Sequence, residues 1–424
     1  MSRWGPADAE AYLGSLEQLG VRFGLERMQA LCAALGLPQD RFASVHVVGT
    51  NGKSSTTEMA VRLLHASGLR AGGCISPHTE GWSERVLFGE GRIDPDAFAE
   101  AVEVVSLVAA SVERDLPEGD RLTQFEVAIA ASFVALADSR VEVAVIEAGL
   151  GGRLDATNVI PSRVTALTSV GLDHTQILGA TIGEIAAEKL AVLRPDSKLV
   201  VGRLDSETSS LAAATAVDRR CELIVAKPPP AESIPDYFSP YLERNAGVAL
   251  AVHEALGVAG LEPAAARAAL EGLPLRGRAE VLAGDPPLIL DAAHNAEGAA
   301  ALAEALPEMI MGRPLIGCLS VLVEKDHDAI ARAIGPHLAV AVCTAADPPP
   351  GAGRPGARAL EPELLAAAFS RVGLKTAEVI AAPEHAVRRA LELASECGGV
   401  ALLAGSHYLL PYSWIQTRAQ NSSR

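Results

Sequence analysis

Aromatic residues are scarce in this chain, at 4% of 424 residues. That argues against an aromatic-rich all-β fold, and abundant alanine favours helices packed on sheets. Cysteine is sparse and dispersed. Cys32, Cys74, Cys221, Cys318, Cys343 and Cys397 form no C-x-x-C pair, which argues for reduced, mostly buried thiols and against a disulfide framework or a zinc site. No apolar run reaches the roughly 18 residues of a membrane helix. The opening residues, MSRWGPADAEAYLGSL, lack the long apolar core of a signal peptide. A cytoplasmic protein is expected. Basic clusters are missing too: the net charge is −16 and lysine and arginine are nowhere concentrated. This argues against a general nucleic-acid surface, because such binding runs on phosphate neutralisation. An anionic ligand would have to be received by local donors or metal ions.

What is present fits a compact protein of more than one core. Apolar residues make up 49% and charged residues 21%, and the length predicts two domains. Apolar, β-rich runs at 45–48, 141–148, 163–170 and 198–202 alternate with helical stretches such as 94–112 and 124–137. Continuous apolar runs suit strands covered on both faces, so the pattern predicts an α/β layered domain with a parallel-rich sheet. A proline-rich loop occupies 227–240, and a helix is expected over about 241–256. The pattern breaks at 273–278 (LPLRGR), and a second βα series follows, with strand candidates at 288–291, 315–321, 340–345 and 400–405. The expected domains are therefore 1–273 and 274–424, the second a smaller α/β unit. Residues 347–358 read as a mobile Pro/Gly loop, and no internal repeat is evident.

The stretch SVHVVGTNGKSSTTEMAVRLL (44–64) carries the strongest functional signal. A β-branched run enters a turn of Gly49, Thr50, Asn51, Gly52, Lys53, Ser54 and Ser55, and a helical pattern leaves it. Glycine lets backbone N–H groups approach an anion, the helix N-terminus adds a favourable dipole, and lysine supplies a charge for outer phosphates. The following hydroxyl suits Mg²⁺. The full G-x-x-x-x-G-K-[ST] pattern wants a glycine where this chain has Val47, so the loop is a shortened version.

Other polar groups sit at strand ends. Glu147 closes the run VEVAVIE ahead of GLGGR, the place where open α/β sheets present ligand-binding groups. It reads either as a Mg²⁺ ligand or Mg-water partner, or as a charge facing solvent. Asp173 and His174 follow the run at 163–170 in the same way and suggest a metal position. Thr181 and Glu184 fit a capping box that starts a helix at about Ile182, which places Ile182, Ile185, Lys189 and Val192 on one face. Lys189 thus projects from an apolar side. Its ammonium either snorkels to the rim or is a desolvated amine able to react with CO₂, giving a carbamate that could hold a second Mg²⁺. In the second domain, Asp291, His294 and Asn295 cluster at another strand end, with Arg278 before them. A nucleotide sandwiched between the two domains is expected.

With FGLERM (23–28), HVVGTNGKSS (46–55), SPH…ERV (76–86), TQFE (123–126), EAGLGGRLDATN (147–158), TSVGLDHTQILG (168–179), EKLAVLRP (188–195), GRAE (277–280) and DAAHN (291–295), the chain resembles the folylpolyglutamate synthase/dihydrofolate synthase family of the Mur ligase superfamily. The resemblance implies a P-loop Mur-ligase-type ATPase domain plus a smaller, Rossmann-like C-terminal domain. It also implies a cytoplasmic, monomeric amide ligase with small-molecule partners only: ATP, L-glutamate and a pteroate or folate. In such a reaction ATP converts a carboxylate to an acyl phosphate, which the amino group of glutamate attacks. Carried over by position, Lys53 binds the outer phosphates, with Ser54 or Ser55 near a first Mg²⁺ completed by Ser76 and Glu147. His174 and a carbamylated Lys189 hold a second Mg²⁺. Asn245, Arg278, Asp291 and His294 contact ATP from the second-domain side. Thr123, Phe125 and Asp155 line the pterin-side pocket, and Ser406 lies on the glutamate side. The chain departs from the family where Ser54 replaces the glycine of GTNGKGS, where Thr79 replaces a leucine, and where DAAHN replaces DGAHNP. Its C-terminal third is the least similar.

Two other readings fit the loop. One is a Mur-type ligase acting on a cell-wall precursor, disfavoured because the phosphate loop begins by residue 49 and leaves no obvious UDP-sugar domain ahead of it. The other is a non-catalytic nucleotide-binding relative, disfavoured by the presence of Lys53, Glu147, His174 and Lys189 together.

Overall fold

A computed structural model describes residues 3–16, 24–78, 81–117, 119–348 and 356–416. Phe23, Thr79 and most of the Pro/Gly loop expected at 347–358 lie outside them. The chain forms two compact units, Met1–Phe238 with Leu242–Leu273, and Ser239–Tyr241 with Pro274–Arg424.

The first unit is built on eight strands: β1 (Ala43–Val48), β2 (Ala71–Cys74), β3 (Val86–Phe88), β4 (Gly91–Arg92), β5 (Val143–Glu147), β6 (Val164–Leu167), β7 (Lys198–Val201) and β8 (Glu222–Val225). Their order is β4-β3-β2-β5-β1-β6-β7-β8. The neighbours β2, β5, β1, β6, β7 and β8 pair in parallel, and the short β3 and β4 extend the β2 edge in antiparallel fashion. The helices are α1 (Pro6–Ser15), α2 (Glu26–Ala34), α3 (Lys53–Ala66), α4 (Pro95–Asp115), α5 (Gln124–Asp138), α6 (Thr175–Leu178), α7 (Ile182–Leu190), α8 (Ser206–Asp218), α9 (Pro240–Ala255) and α10 (Pro263–Leu270). Local chemistry sets several starts. Asp94 caps α4 ahead of Pro95, and Thr123 with Glu126 forms a capping box on α5. Thr181 with Glu184 does the same for α7, at the start the sequence predicts.

The register shows how one sheet face is covered. Ala144 and Ile146 of β5 join a buried cluster with Val127 and Phe133 of α5 and Phe98 and Val102 of α4. On the same face, Leu167, Leu199 and Val201 pack with Ile185 and Leu190 of α7 and Ala212 of α8. Between these two apolar patches lie the buried polar residues Ser44, His46 and Thr165.

The second unit holds β9 (Glu280–Leu282), β10 (Leu288–Leu290), β11 (Leu315–Leu319), β12 (Val340–Cys343), β13 (Ala377–Val379) and β14 (Val400–Ala404), in the order β13-β12-β11-β14-β10-β9. All pairs are parallel except β9 with β10. Its helices are α11 (Ala296–Ile310), α12 (His327–Ile334), α13 (Pro362–Arg371) and α14 (Pro383–Glu396). Ile289 and Leu402 pack on one side against Leu302, Ile330 and Phe369; Leu288 and Leu403 pack on the other against Val387 and Leu409. Among the described residues no helix is long and apolar enough to cross a membrane.

Candidate active site

Parallel register brings three strand ends together. Val47 of β1 is opposite Glu147 of β5, and Val48 is opposite Leu167 of β6. The loop Gly49–Gly52, Glu147 and the pair Thr168–Ser169 therefore emerge at one carboxyl edge, where open α/β sheets bind ligands. The loop is braced from β6: Thr50 N–H donates to the Ser169 carbonyl (2.9 Å), Asn51 N–H to the Ser169 hydroxyl (3.1 Å), and the Thr168 hydroxyl to the Asn51 carbonyl (2.7 Å). Gly52 caps α3 in the left-handed region at φ 81°. The first intrahelical bond after it runs from Thr56 N–H to the Gly52 carbonyl, so the N–H groups of Lys53, Ser54 and Ser55 precede the helical ladder, as an anion-binding helix start requires. The Lys53 ammonium donates to the Thr50 carbonyl at 3.2 Å and so lies over the loop.

Glu147 is buried and ties the neighbouring pieces together. One carboxylate oxygen accepts from the Ser54 hydroxyl at 3.0 Å, and the other accepts from Ser76 N–H at 3.1 Å. Ser55 is turned into the core, at 1% exposure. Lys189 does not snorkel: it is 3% exposed and donates to the Gly49 carbonyl at 2.7 Å. As an ammonium it is a donor, and it braces the loop from α7. His174 takes a left-handed backbone at the start of α6, and its N–H donates to the Asp173 carboxylate at 2.8 Å. Among the described residues no group of three or more His, Cys, Asp or Glu side chains is placed to hold a metal ion. A cation here would draw on hydroxyls and phosphate oxygens, which suits Mg²⁺.

A second cluster surrounds Gly149. A methyl group placed there would lie 2.5 Å from Phe125 Cζ and 3.2 Å from Asp155 Oδ2, so ring and carboxylate flank the same backbone. Asp155 is buried, which raises its pKa, and the bonds it accepts from Thr157 and from Leu150 N–H pull the other way. Thr123 stands two residues before Phe125 as the N-cap of α5, with its hydroxyl donating to Glu126 at 2.9 Å.

In the second unit Asp291 is the centre. It accepts from the Tyr241 hydroxyl (2.6 Å), Ala279 N–H (2.9 Å) and Ala293 N–H (2.8 Å). Burial raises its pKa, while the Tyr241 bond and the Arg278 charge oppose the rise. His294 Nδ1 pairs with the Ala292 carbonyl at 2.9 Å, and its ring lies 6.2 Å from that of His407. Burial, with His294, Arg278 and Lys325 adding to it, pushes His407 down to about 3. Ser406 is buried, and its hydroxyl caps the turn that follows by accepting from Tyr408 N–H. Asn245 corrects an expectation. It belongs to the first unit, where a methyl at Gly52 would stand 2.5 Å from its Oδ1. It approaches the loop directly, because α9 packs beside it, and is not a second-domain group.

Residues 277–407 match the family model described as Mur ligase, glutamate ligase domain. A dihydrofolate synthase/folylpolyglutamate synthase of Mycobacterium tuberculosis is 34% identical over 398 residues, which cover 84% of this chain and 80% of that protein. This chain belongs to the dihydrofolate synthase/folylpolyglutamate synthase family. Solved structures of the family agree in fold. A folylpolyglutamate synthase of Mycobacterium tuberculosis complexed with ADP and AMPPCP superposes with a TM-score of 0.85 at 30% identity, covering 96% of this chain and 98% of that one. A bifunctional folylpolyglutamate synthase/dihydrofolate synthase with Mn, AMPPNP and L-glutamate bound gives a TM-score of 0.80 at 26% identity, covering 99% and 98%.

Some groups of this family member were not singled out by sequence. Thr168 and Ser169 buttress the loop, and their position just after an apolar strand was the available signal. Tyr241 holds Asp291 from 50 residues away and carried no local signal. Arg85, buried within SPH…ERV, donates to His78 Nδ1 at 3.0 Å and lies 4.2 Å over the Trp82 ring. Burial lowers its pKa to about 10, with the nearby Glu147 carboxylate among the groups opposing the fall.

Proposed function

We propose that this chain is an ATP-dependent ligase that joins L-glutamate to the carboxylate of a dihydropteroate or folate acceptor. The observation that carries this reading is the convergence of Ser54, Glu147 and Lys189 on the phosphate loop at one sheet edge. Relatives named as dihydrofolate and folylpolyglutamate synthases support the acceptor class and do not favour a cell-wall precursor. Structures holding ADP, AMPPCP, Mn with AMPPNP, and L-glutamate support the other reactants.

The chemistry follows from positioning and charge neutralisation. Lys53 and the first N–H groups of α3 receive the ATP phosphates, with Gly49, Thr50, Asn51 and Gly52 shaping the cradle. An acceptor carboxylate oxygen attacks the terminal phosphorus, ADP leaves, and the glutamate amine then displaces phosphate from the acyl carbon. Mg²⁺, when bound, neutralises phosphate charge. For the first ion we assign Ser54, Ser76 and Glu147, choosing Ser54 over Ser55 because the Ser54 hydroxyl donates to Glu147 while Ser55 is buried in the core. For the second we assign His174 and Lys189; the Lys189 amine, by adding CO₂ and losing a proton, would become an anionic oxygen ligand. Phe125 and Asp155, with Thr123, are assigned to the pterin side of the acceptor, and Ser406 to the glutamate side. Asn245 is assigned to ATP from residues 1–273, and Arg278, Asp291 and His294 from 274–424.

The test is ADP release and product formation with MgATP, L-glutamate and either dihydropteroate or tetrahydrofolate. Acceptor-dependent ADP release is expected, and none with a UDP-muramoyl acceptor. No release with any pteroate overturns the assignment. Lys189→Ala is expected to keep its circular dichroism and lose turnover; wild-type activity in that variant would sink the metal-ligand role.

A further inference from the structure

Asp155 does not stand alone. Its Oδ1 accepts from both the N–H of Thr157 (3.0 Å) and the Thr157 hydroxyl, while its Oδ2 accepts from Leu150 N–H at 2.8 Å. Behind Thr157, at 2.9 Å from the same hydroxyl oxygen, is Nε2 of His46. His46 is fully buried inside β1, on the sheet face between the two apolar clusters. A histidine in that position would ordinarily be an aliphatic residue, since a buried polar group is costly unless it is bonded.

The direction of the chain follows from counting protons. Thr157 has one hydroxyl hydrogen, and it goes to Asp155. Its oxygen can then only accept from His46, so Nε2 carries the imidazole hydrogen. His46 Nδ1 is left bare, and among the described residues it has no hydrogen-bond partner. Burial, with the Arg194 charge adding to it, independently holds the ring neutral by lowering its pKa to about 3. Arg194 also fixes the turn itself, donating to the carbonyl and side-chain oxygens of Asn158. The result is a one-way relay of donors, His46 to Thr157 to Asp155, that favours the ionised carboxylate.

We propose that His46 and Thr157 are positioning residues that hold Asp155 as an oriented, ionised acceptor for the N–H edge of a planar aminopyrimidine-type ring lying against Phe125. The proposal rests on the assignment of Asp155 to the pterin side. It explains why the carboxylate keeps an oriented geometry in a site where burial works against its charge, and it assigns a function to a histidine whose Nε2 pairs with Thr157.

The test compares paired variants, one removing a donor and one restoring it: Thr157→Val against Thr157→Ser, and His46→Leu against His46→Gln, whose side-chain N–H mimics Nε2–H. Folding is checked by circular dichroism and thermal melts, and KM is measured for the pteroate acceptor, ATP and glutamate. Losing a hydrogen bond to a charged group is expected to raise the acceptor KM about tenfold, with the ATP KM within about twofold, and Thr157→Ser and His46→Gln should restore it. An unchanged acceptor KM in Thr157→Val, equal shifts of all three KM values, or no rescue would overturn the proposal. If His46→Leu does not fold, the Thr157 pair decides. Wild-type turnover with a pteroate is the separate control: its absence rejects the assigned activity, and with it this role, before any variant is compared.

Discussion

Replacing Gly52 with alanine tests the geometry of the phosphate loop apart from catalysis. Gly52 has φ 81°, which L-residues adopt at a cost of about 1–2 kcal/mol. The added methyl would also lie 2.5 Å from Asn245 Oδ1 and 3.1 Å from its Cγ. That neighbour is the end of a side chain, so it can move. Swinging it off its rotamer adds about 0.5–1.5 kcal/mol. Together the two effects predict a loss of about 1.5–3.5 kcal/mol. Calorimetric melts of Gly52→Ala, Asn245→Ala and the double variant separate them. The double variant should recover the collision part and leave the backbone part. Stability is the proper readout, since Asn245 is itself assigned to ATP and its loss would confound a binding assay. A Gly52→Ala melt within about 1 °C of wild type refutes the backbone strain, given the shift of about 2–4 °C per kcal/mol expected for a unit of this size. A double variant no more stable than Gly52→Ala refutes the collision.

Two further predictions concern buried charge. Arg27 Nε donates to Glu126 at 3.0 Å with both side chains buried, and its Nη1 donates to Asp120 at 3.3 Å, so Arg27→Met leaves the buried Glu126 carboxylate without its countercharge and should cost about 3–5 kcal/mol in urea unfolding. Arg27→Met/Glu126→Gln, which keeps the α5 cap without the charge, should recover much of that loss; equal stability of the two would refute the reasoning. Burial of neutral His46 lowers its pKa from 6.5 to about 3, so between those values the unfolded chain binds a proton that the folded chain does not. Its contribution is therefore full above about pH 6.5 and is lost as pH falls towards 3. His78, lowered by burial to about 4, and His407, lowered to about 3, act with the same sign. The raised pKa of buried Asp155 has the opposite effect, with stability lost as pH rises through its window. His46→Gln should thus flatten the acid limb of the stability profile without abolishing it, and an unchanged gap in Tm from wild type between neutral and acid pH would contradict this.

The layered fold was legible where strands are buried on both faces, because β1, β5, β6 and β7 are short runs dominated by apolar and β-branched residues. It was not legible at β2, whose AGGC has no β-branched residue, or at the three-residue β13, where pairing with neighbours supplies the order that propensity does not. The site was legible in the same uneven way. Capping chemistry and helical spacing were enough to place Lys189 on an apolar face, but its acceptor, the Gly49 carbonyl, is 140 residues away. The choice between Ser54 and Ser55 was present in the sequence as phase. Ser55, Met59 and Leu63 repeat every four residues and are all buried, which turns Ser55 inward and leaves Ser54 for Glu147.

His46 shows why the remainder stays hidden. Within ASVHVV the polar Ser44 and His46 alternate with apolar residues and read as a solvent-facing side, since alternation is the usual reason for polarity in a strand. Here the cause is tertiary. Thr157 lies 111 residues on, at the turn that Asp155 caps, and only the packing of that turn over β1 gives the imidazole its partner. The alternation of Ser44 and His46 looks the same whether that face meets solvent or a distant hydroxyl. A histidine inside a buried strand next to a phosphate loop is therefore where a non-local polar contact should be sought first.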